Sequence, residues 1–378
     1  MSGSFAEISA SFFKPAVNDL VPYEPGKPVE EVQRELGLDR VVKLASNEGP
    51  FGPFPAAAEA IERCILELNR YPDGGIYRLR AALAERLGVR FEEVTVGAGS
   101  DGLVDCLTQA VLDPGDEIVC GWPSFPSYVI DARKVGAVPR TVSLRDGRYD
   151  LDAMLEAIGP RTKIAYLCHP NNPTGTMNTR AQLDSWFERV PEHVVTVIDQ
   201  AYLEYVGDPD YPDGIEEYVK TGQKALVLRT FSKIYGLAGL RVGYGVGPAG
   251  LMTAIGKVRR AFDVSSVGQE AALVSLGDEK EIARRRALNQ ASMALLEDVL
   301  RKHGLEPVGP AVANFVFVRV GDADAVNDAL LRRGVIVRPM RAFGAADALR
   351  ITAGTPDEVA FLGEALATLD APIGVATT

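Results

Sequence analysis

Lys233 follows two hydroxyl residues, Thr230 and Ser232, in the segment Thr230-Phe-Ser-Lys-Ile-Tyr-Gly-Leu-Ala-Gly-Leu-Arg-Val-Gly-Tyr244, and Arg241 stands eight residues after it. Lysine is the side chain that condenses with a carbonyl to form a Schiff base. Hydroxyls, an arginine and the close backbone approach that Gly236 and Gly239 permit suit a phosphate. A carbonyl and a phosphate on one small molecule describe pyridoxal phosphate. Taken alone, a lysine in a loop after a strand is also an ordinary solvated charge. The chemical reading therefore turns on whether the chain supplies partners for the rest of that molecule.

Five further groups could do so. Val94-Thr-Val-Gly-Ala-Gly-Ser-Asp101 reads as strand, glycine turn and helix start. After Gly99, the free N–H groups at Ser100, Asp101 and Gly102 can hold a dianionic phosphate at the positive helix end, although glycine turns ahead of helices are common. In His169-Pro-Asn-Asn-Pro-Thr-Gly175 two prolines and a glycine fix the backbone around Asn171 and Asn172, and an asparagine NH2 can donate to a phenolate oxygen. Asp199 ends the apolar run Val194-Val-Thr-Val-Ile. A buried carboxylate there needs a partner, and a protonated pyridine nitrogen is one; a helix cap is the plain alternative. Tyr202 could donate to the same phenolate oxygen, and Phe125 could stack on a flat ring or simply pack in the core.

The elements that must position these groups alternate along the chain. Short apolar runs expected as strands include 94–96, 117–120, 139–142, 163–168, 194–198, 225–228 and 242–246. They are separated by helical patterns such as 55–68, 76–87, 101–112, 125–135, 151–158 and 180–189. This predicts an α/β fold: a large domain with a mostly parallel, seven-stranded-type sheet between helices. Ligands in such sheets gather at the carboxyl ends of the strands, where each candidate group falls. A long helical region, 249–303, breaks near Asp263–Ser266. Beyond it lie strands at 314–320, 335–338 and 348–352 and helices at 323–333 and 356–369, expected as a smaller α+β domain. The division is thus an N-terminal arm at 1–40, a large domain at 41–265 and a small domain at 266–378. The arm is proline-rich, with no continuous helix before 29–36. Phe12, Phe13 and Tyr23 suggest that it lies across another surface.

Composition narrows the function. The 378 residues carry a net charge of −11, which argues against a nucleic-acid partner. No apolar run reaches the length of a membrane span. Met1–Ala10 lacks a basic stretch followed by an apolar core, so no secretory leader is expected. The four cysteines are scattered, with no metal or redox spacing, and read as reduced core residues of a cytoplasmic protein.

Together these motifs resemble the fold-type I, pyridoxal-phosphate-dependent aminotransferases, most closely the histidinol-phosphate aminotransferase subfamily. The resemblance rests on Val21-Pro-Tyr23, Leu44-Ala-Ser-Asn-Glu-Gly-Pro-Phe-Gly-Pro53, Asn69-Arg-Tyr-Pro-Asp73, Gly97-Ala-Gly-Ser-Asp101, Pro170-Asn-Asn-Pro-Thr-Gly175 and Asp199-Gln-Ala-Tyr202. It extends to Thr230-Phe-Ser-Lys233 with Arg241, Val337-Arg-Pro339 and Leu349-Arg-Ile-Thr352. It implies that Lys233 carries the cofactor and moves the substrate's α-proton, that Asp199 holds the pyridinium, and that Asn172 and Tyr202 contact the phenolate oxygen. Phe125 would stack on the ring, and Gly99, Ser100, Asp101, Thr230, Ser232 and Arg241 would surround the phosphate. Tyr71 would reach the phosphate site of a neighbouring subunit, implying a homodimer. Arg350 would clamp an α-carboxylate, Arg338 and Tyr23 a distal phosphate, and Asn47 would border the site. The partners are then an amino donor and a 2-oxo acid. An aromatic (phenylalanine) aminotransferase shares nearly all these motifs, and a phosphothreonine decarboxylase uses the same scaffold. A pyridoxal-phosphate-sensing regulator would need an added basic DNA-binding module. Two departures from the pattern are Gln200, where an acidic residue is usual, with a modest effect expected, and Gly102, where glutamate is common.

Overall fold

Val197, Ile198, Leu226, Val227 and Leu228 are wholly buried, as strands covered on both faces must be. The computed structural model describes residues 8–20 and 26–369. In chain order the strands are β1 (Val42–Lys43), β2 (Val94–Gly97), β3 (Glu117–Trp122), β4 (Val138–Ser143), β5 (Thr162–Cys168), β6 (Val195–Asp199), β7 (Ala225–Thr230) and β8 (Gly243–Val246). They continue as β9 (Pro307–Val308), β10 (Phe315–Arg319), β11 (Val335–Ile336), β12 (Arg338–Met340) and β13 (Ala345–Thr352). The large sheet has the order β2-β8-β7-β6-β5-β3-β4. Only β8 runs antiparallel to its neighbours, so the expected mostly parallel, seven-stranded sheet is present. β4 is the exposed edge.

A second sheet, β12-β13-β10-β9, is antiparallel and has its own core of Val316, Val318, Leu349, Ile351, Leu362 and neighbours. β1 pairs in parallel with β11, and Val42 and Val335 both belong to this second core. The predicted helical break near Asp263 lies between the helices Ala249–Val258 and Ser266–Ser275. A second break falls at 276–278: Gly277 takes φ 89°, and the Asp278 carboxylate accepts from Glu281 N to start the helix Glu279–Lys302. Helix Ser266–Ser275 packs on Pro55–Cys64, and its Ala271 and Ala272 belong to the large core.

In the arm, Pro15 opens a four-residue helix, Pro15–Asn18, since proline suits the first helical turn. This helix packs on Ser127–Lys134. Phe12 and Phe13 stay exposed and meet edge to face.

Candidate active site

The carboxyl ends of β5, β6 and β7 open into a cavity of about 170 Å³ that the small sheet roofs with Arg338 and Arg350. Its lining brings together Asn47, Ser100, Asp101, Phe125, Asn172, Asp199, Tyr202, Thr230, Ser232, Lys233, Arg241, Arg338 and Arg350. Segments more than 300 residues apart in sequence thus meet at one point. Gly99 lies directly behind Ser100 at the helix start. Tyr71 is 83% exposed, stacks on Phe262 and lines a different surface groove. Tyr23 lies outside the described residues.

At the floor, Asp199 ends β6 and is 4% exposed. Tyr128 OH donates to its Oδ2 at 2.8 Å, and Ala201 N–H donates to Oδ1 at 3.2 Å. Burial pushes the carboxyl up to about 6 despite these donors. Tyr128 escaped the sequence reading; it stands three residues after Phe125, on the helix that the Ser-Phe-Pro turn starts, and stacks on Tyr166. Phe125 meets Tyr128 edge to face and keeps a place in the cavity wall.

Lys233 sits in the cavity with Nζ 5.4 Å from the Tyr202 ring centre. Burial first, then Arg350 and Arg241, push its ammonium down to about 8. Arg350 Nη1 donates to Asn172 Oδ1 at 2.6 Å, which leaves Asn172 Nδ2 as a donor; Arg350 Nη2 donates to Ala45 O. Asn47 Nδ2 donates to Tyr202 OH at 2.9 Å. Asn171, by contrast, is spent on structure: its side chain bonds Ser124, Tyr149, Pro123 O and Thr174.

Around the helix start, Thr230 Oγ1 donates to Ser232 Oγ at 3.0 Å, and Arg241 Nη1 donates to the same Ser232 oxygen at 3.4 Å. Two glycines make this cradle. A Cβ on Gly99, at φ 79°, would lie 2.7 Å from Arg241 Nη2, and one on Gly243 would lie 2.2 Å from Ser100 N. Close approach is therefore the work of Gly99 and Gly243. The expectation for Gly236 and Gly239 is corrected: Gly236 packs against the backbone of Gly52, and Gly239 faces open space. Gln200 is wholly buried and points away from the cavity, bonding Tyr211, Pro212 O and Arg229. Sequence reasoning also passed over Ser46, Cys168, Ala201 and Phe343 as parts of the cavity lining; Cys168 Sγ accepts from Asn172 N–H at 3.4 Å there.

These residues fit pyridoxal phosphate. A protonated pyridine nitrogen would pair with the buried Asp199 carboxylate. The cradle of Ser100 N, Thr230, Ser232 and Arg241 would take a dianion, and Lys233 stands between the two.

The family described as "Aminotransferase class I and II" matches residues 39–366. The chain belongs to the class I and II aminotransferases. It is a transaminase of a pyridoxal-phosphate-dependent family. Relatives of this aminotransferase include histidinol-phosphate aminotransferase 2 of Carboxydothermus hydrogenoformans, 44% identical over 90% of this chain and 94% of that protein. Another is the histidinol-phosphate aminotransferase of Akkermansia muciniphila, 42% identical over 92% and 96%. Among solved structures, a histidinol-phosphate aminotransferase from Sinorhizobium meliloti in complex with pyridoxal-5'-phosphate superimposes with a TM-score of 0.84 at 28% identity, covering 95% of this aminotransferase and 97% of that chain. Aspartate aminotransferase from Thermus thermophilus with maleate does so with a TM-score of 0.82 at 25% identity, covering 94% and 98%. The aminotransferase has no helix, among the described residues, long and apolar enough to cross a membrane.

Proposed function

We propose that this aminotransferase moves an amino group between L-histidinol phosphate and 2-oxoglutarate, giving imidazole acetol phosphate and L-glutamate. The observation that carries the reading is the pairing of Arg338 with Arg350 directly across β12 and β13, both in the cavity lining. Directly opposed residues share a face, so both guanidiniums are placed to meet anions bound in the cavity. A substrate with a distal phosphate and a co-substrate with an α-carboxylate supply those anions in turn. The names of the relatives support the same substrate.

Bound pyridoxal 5′-phosphate supplies an aldehyde for the amino group and a ring that accepts the electron pair left when the α-proton departs. Lys233 is the residue that would hold that aldehyde, through Nζ. Its free amine would serve as the base that takes the proton from the substrate α-carbon. Its depressed basicity, at about 8, keeps a working share of it unprotonated near neutral pH. Asp199 would hold a proton on the ring nitrogen, and Tyr128 fixes the carboxylate's direction. Asn172 Nδ2 and Tyr202 OH would donate to the phenolate oxygen, and Phe125 would pack against the ring. Gly99, Ser100, Asp101, Thr230, Ser232 and Arg241 bind the phosphate. Arg350 orients an α-carboxylate. Arg338 orients the distal phosphate, a task that the resemblance shares with Tyr23. Asn47 aligns Tyr202 from the wall.

The protein acts in the cytoplasm as a homodimer in this reading. Exposed Tyr71 and Phe262 mark the face toward a second copy, with Tyr71 reaching its phosphate site. Residues 1–40 form the arm, 41–265 the large cofactor-binding domain and 266–378 the small domain, whose first helix, Ser266–Ser275, packs in the large core.

Replacing Arg338 tests the substrate. For Arg338→Ala, kcat/KM with histidinol phosphate should fall roughly 100-fold, the worth of a charge-assisted pair, while phenylalanine loses only a few-fold. Equal losses on both would overturn the phosphate assignment and favour an aromatic amino acid.

A further inference from the structure

Thr352 lies at the end of β13, two residues beyond Arg350, and is 3% exposed. Its hydroxyl oxygen accepts from Asn47 N–H at 3.0 Å, and its hydrogen goes to Asn47 Oδ1 at 3.1 Å. With Oδ1 so occupied, the other end of the Asn47 amide, Nδ2, faces Tyr202 OH at 2.9 Å. An NH2 can only donate, so the Tyr202 oxygen is the acceptor in that bond. The tyrosine's own hydrogen is then left for the cavity.

The backbone holds Asn47 in place for this. Asn47 sits at φ 55°, a left-handed conformation that asparagine tolerates better than most residues. Its carbonyl accepts from Asn314 Nδ2 at 3.2 Å, and Thr352 N–H donates to Leu44 O at 2.9 Å. All three side chains, Asn47, Tyr202 and Thr352, are buried. Water therefore does not compete to turn the amide over, and the choice between its two orientations falls to Thr352.

We propose that Thr352 is a positioning residue that sets the direction of the Tyr202 hydrogen through the Asn47 amide. This rests on the reading of Tyr202 as a donor to the cofactor's phenolate oxygen. Without the Thr352 hydroxyl, the Asn47 amide is free to turn over. Oδ1 would then take the tyrosine's hydrogen, and the phenolate would lose a donor. An anionic oxygen that loses a donor binds its protons more tightly. The relay also places the phenolate's donor under the control of the strand that carries Arg350.

The test reads the holoenzyme's visible absorbance against pH. Thr352→Val, which removes the hydroxyl at nearly constant volume, should raise the pH midpoint of the absorbance change by about one unit, a tenfold change in proton affinity. Thr352→Ser should keep the wild-type midpoint, and it also serves as the control for folding at this position. Tyr202→Phe should give a shift of the same sign, and adding Thr352→Val to it should shift nothing further. The relay is overturned if Thr352→Val leaves the midpoint unchanged while Tyr202→Phe moves it. It is equally overturned if Thr352→Val moves it by the same amount in the Tyr202→Phe background. If Tyr202→Phe itself moves nothing, the phenolate role of Tyr202 fails, and the relay built on it falls with it.

Discussion

Asp199 and Lys233 stand in one cavity with their acidities displaced toward each other, the carboxyl up to about 6 and the ammonium down to about 8, each first of all by burial. Such displacement is costly to a protein that has no use for it and is common where chemistry is done. Its consequence for stability has a definite sign. The folded carboxyl of Asp199 lies above its usual 3.8, so between about pH 4 and 6 the folded apoenzyme binds more protons than the unfolded chain. This group therefore withdraws stability as pH rises through that window. Apoenzyme carrying Asp199→Asn should match wild type in urea unfolding near pH 4 and exceed it near pH 7 by on the order of 2–3 kcal/mol. With cofactor bound the order should reverse, because asparagine cannot hold a pyridinium proton. A constant difference across the pH range in the apoenzyme would show that Asp199 has found a cation elsewhere.

Single elements place these residues, and not all of that placement was legible in the chain. The strand-and-turn segments were, because each packs its chemistry within a few residues: Ser100 after a glycine turn, Asp199 at a strand end, Lys233 beside Thr230 and Ser232. Contacts made across the chain were not. Nothing in the sequence sets Tyr128 against Asp199, 71 residues away, or Arg338 across from Arg350, since the register of β12 on β13 exists only once both strands pair. Gly236 and Gly239 misled because a glycine marks close approach without saying to what. The break at Gly277-Asp278 was visible as a glycine and a helix cap but sat inside a long helical pattern. Helix Glu279–Lys302, which follows it, carries a second device of this kind. Buried Arg285 donates to Ile234 O at 3.0 Å, beside Lys233, and to Pro53 O, while Glu281 holds its Nε at 2.7 Å. Arg285→Ala should lower stability by about 2–4 kcal/mol and slacken the lysine loop. Arg285→Lys should recover only part of this, since an ammonium cannot reach both carbonyls as a fork does. Urea denaturation of the two variants checks it; a loss under about 0.5 kcal/mol, the level of an ordinary surface change, would contradict the role.

At the scale of the whole molecule, two cores joined by the long helix hold a cavity between them, so the cofactor side and the roof arginines come from different sheets. The assembly proposed above gives each cavity a tyrosine from a second copy. Mixing Lys233→Ala with Tyr71→Ala protein, each inactive or nearly so, should then restore about a quarter of wild-type activity, because half the dimers carry one complete site. A mixture no more active than its parts would remove Tyr71 from the site. In the function proposed above, the two opposed arginines serve a phosphorylated amine and an α-carboxylate in alternation. The most direct measurement is kcat/KM of the purified holoenzyme for L-histidinol phosphate and for L-phenylalanine, each with 2-oxoglutarate, in one buffer. The expected result is a preference for histidinol phosphate of roughly 100-fold or more, about 3 kcal/mol of transition-state binding. Equal values, or a preference for phenylalanine, would contradict it.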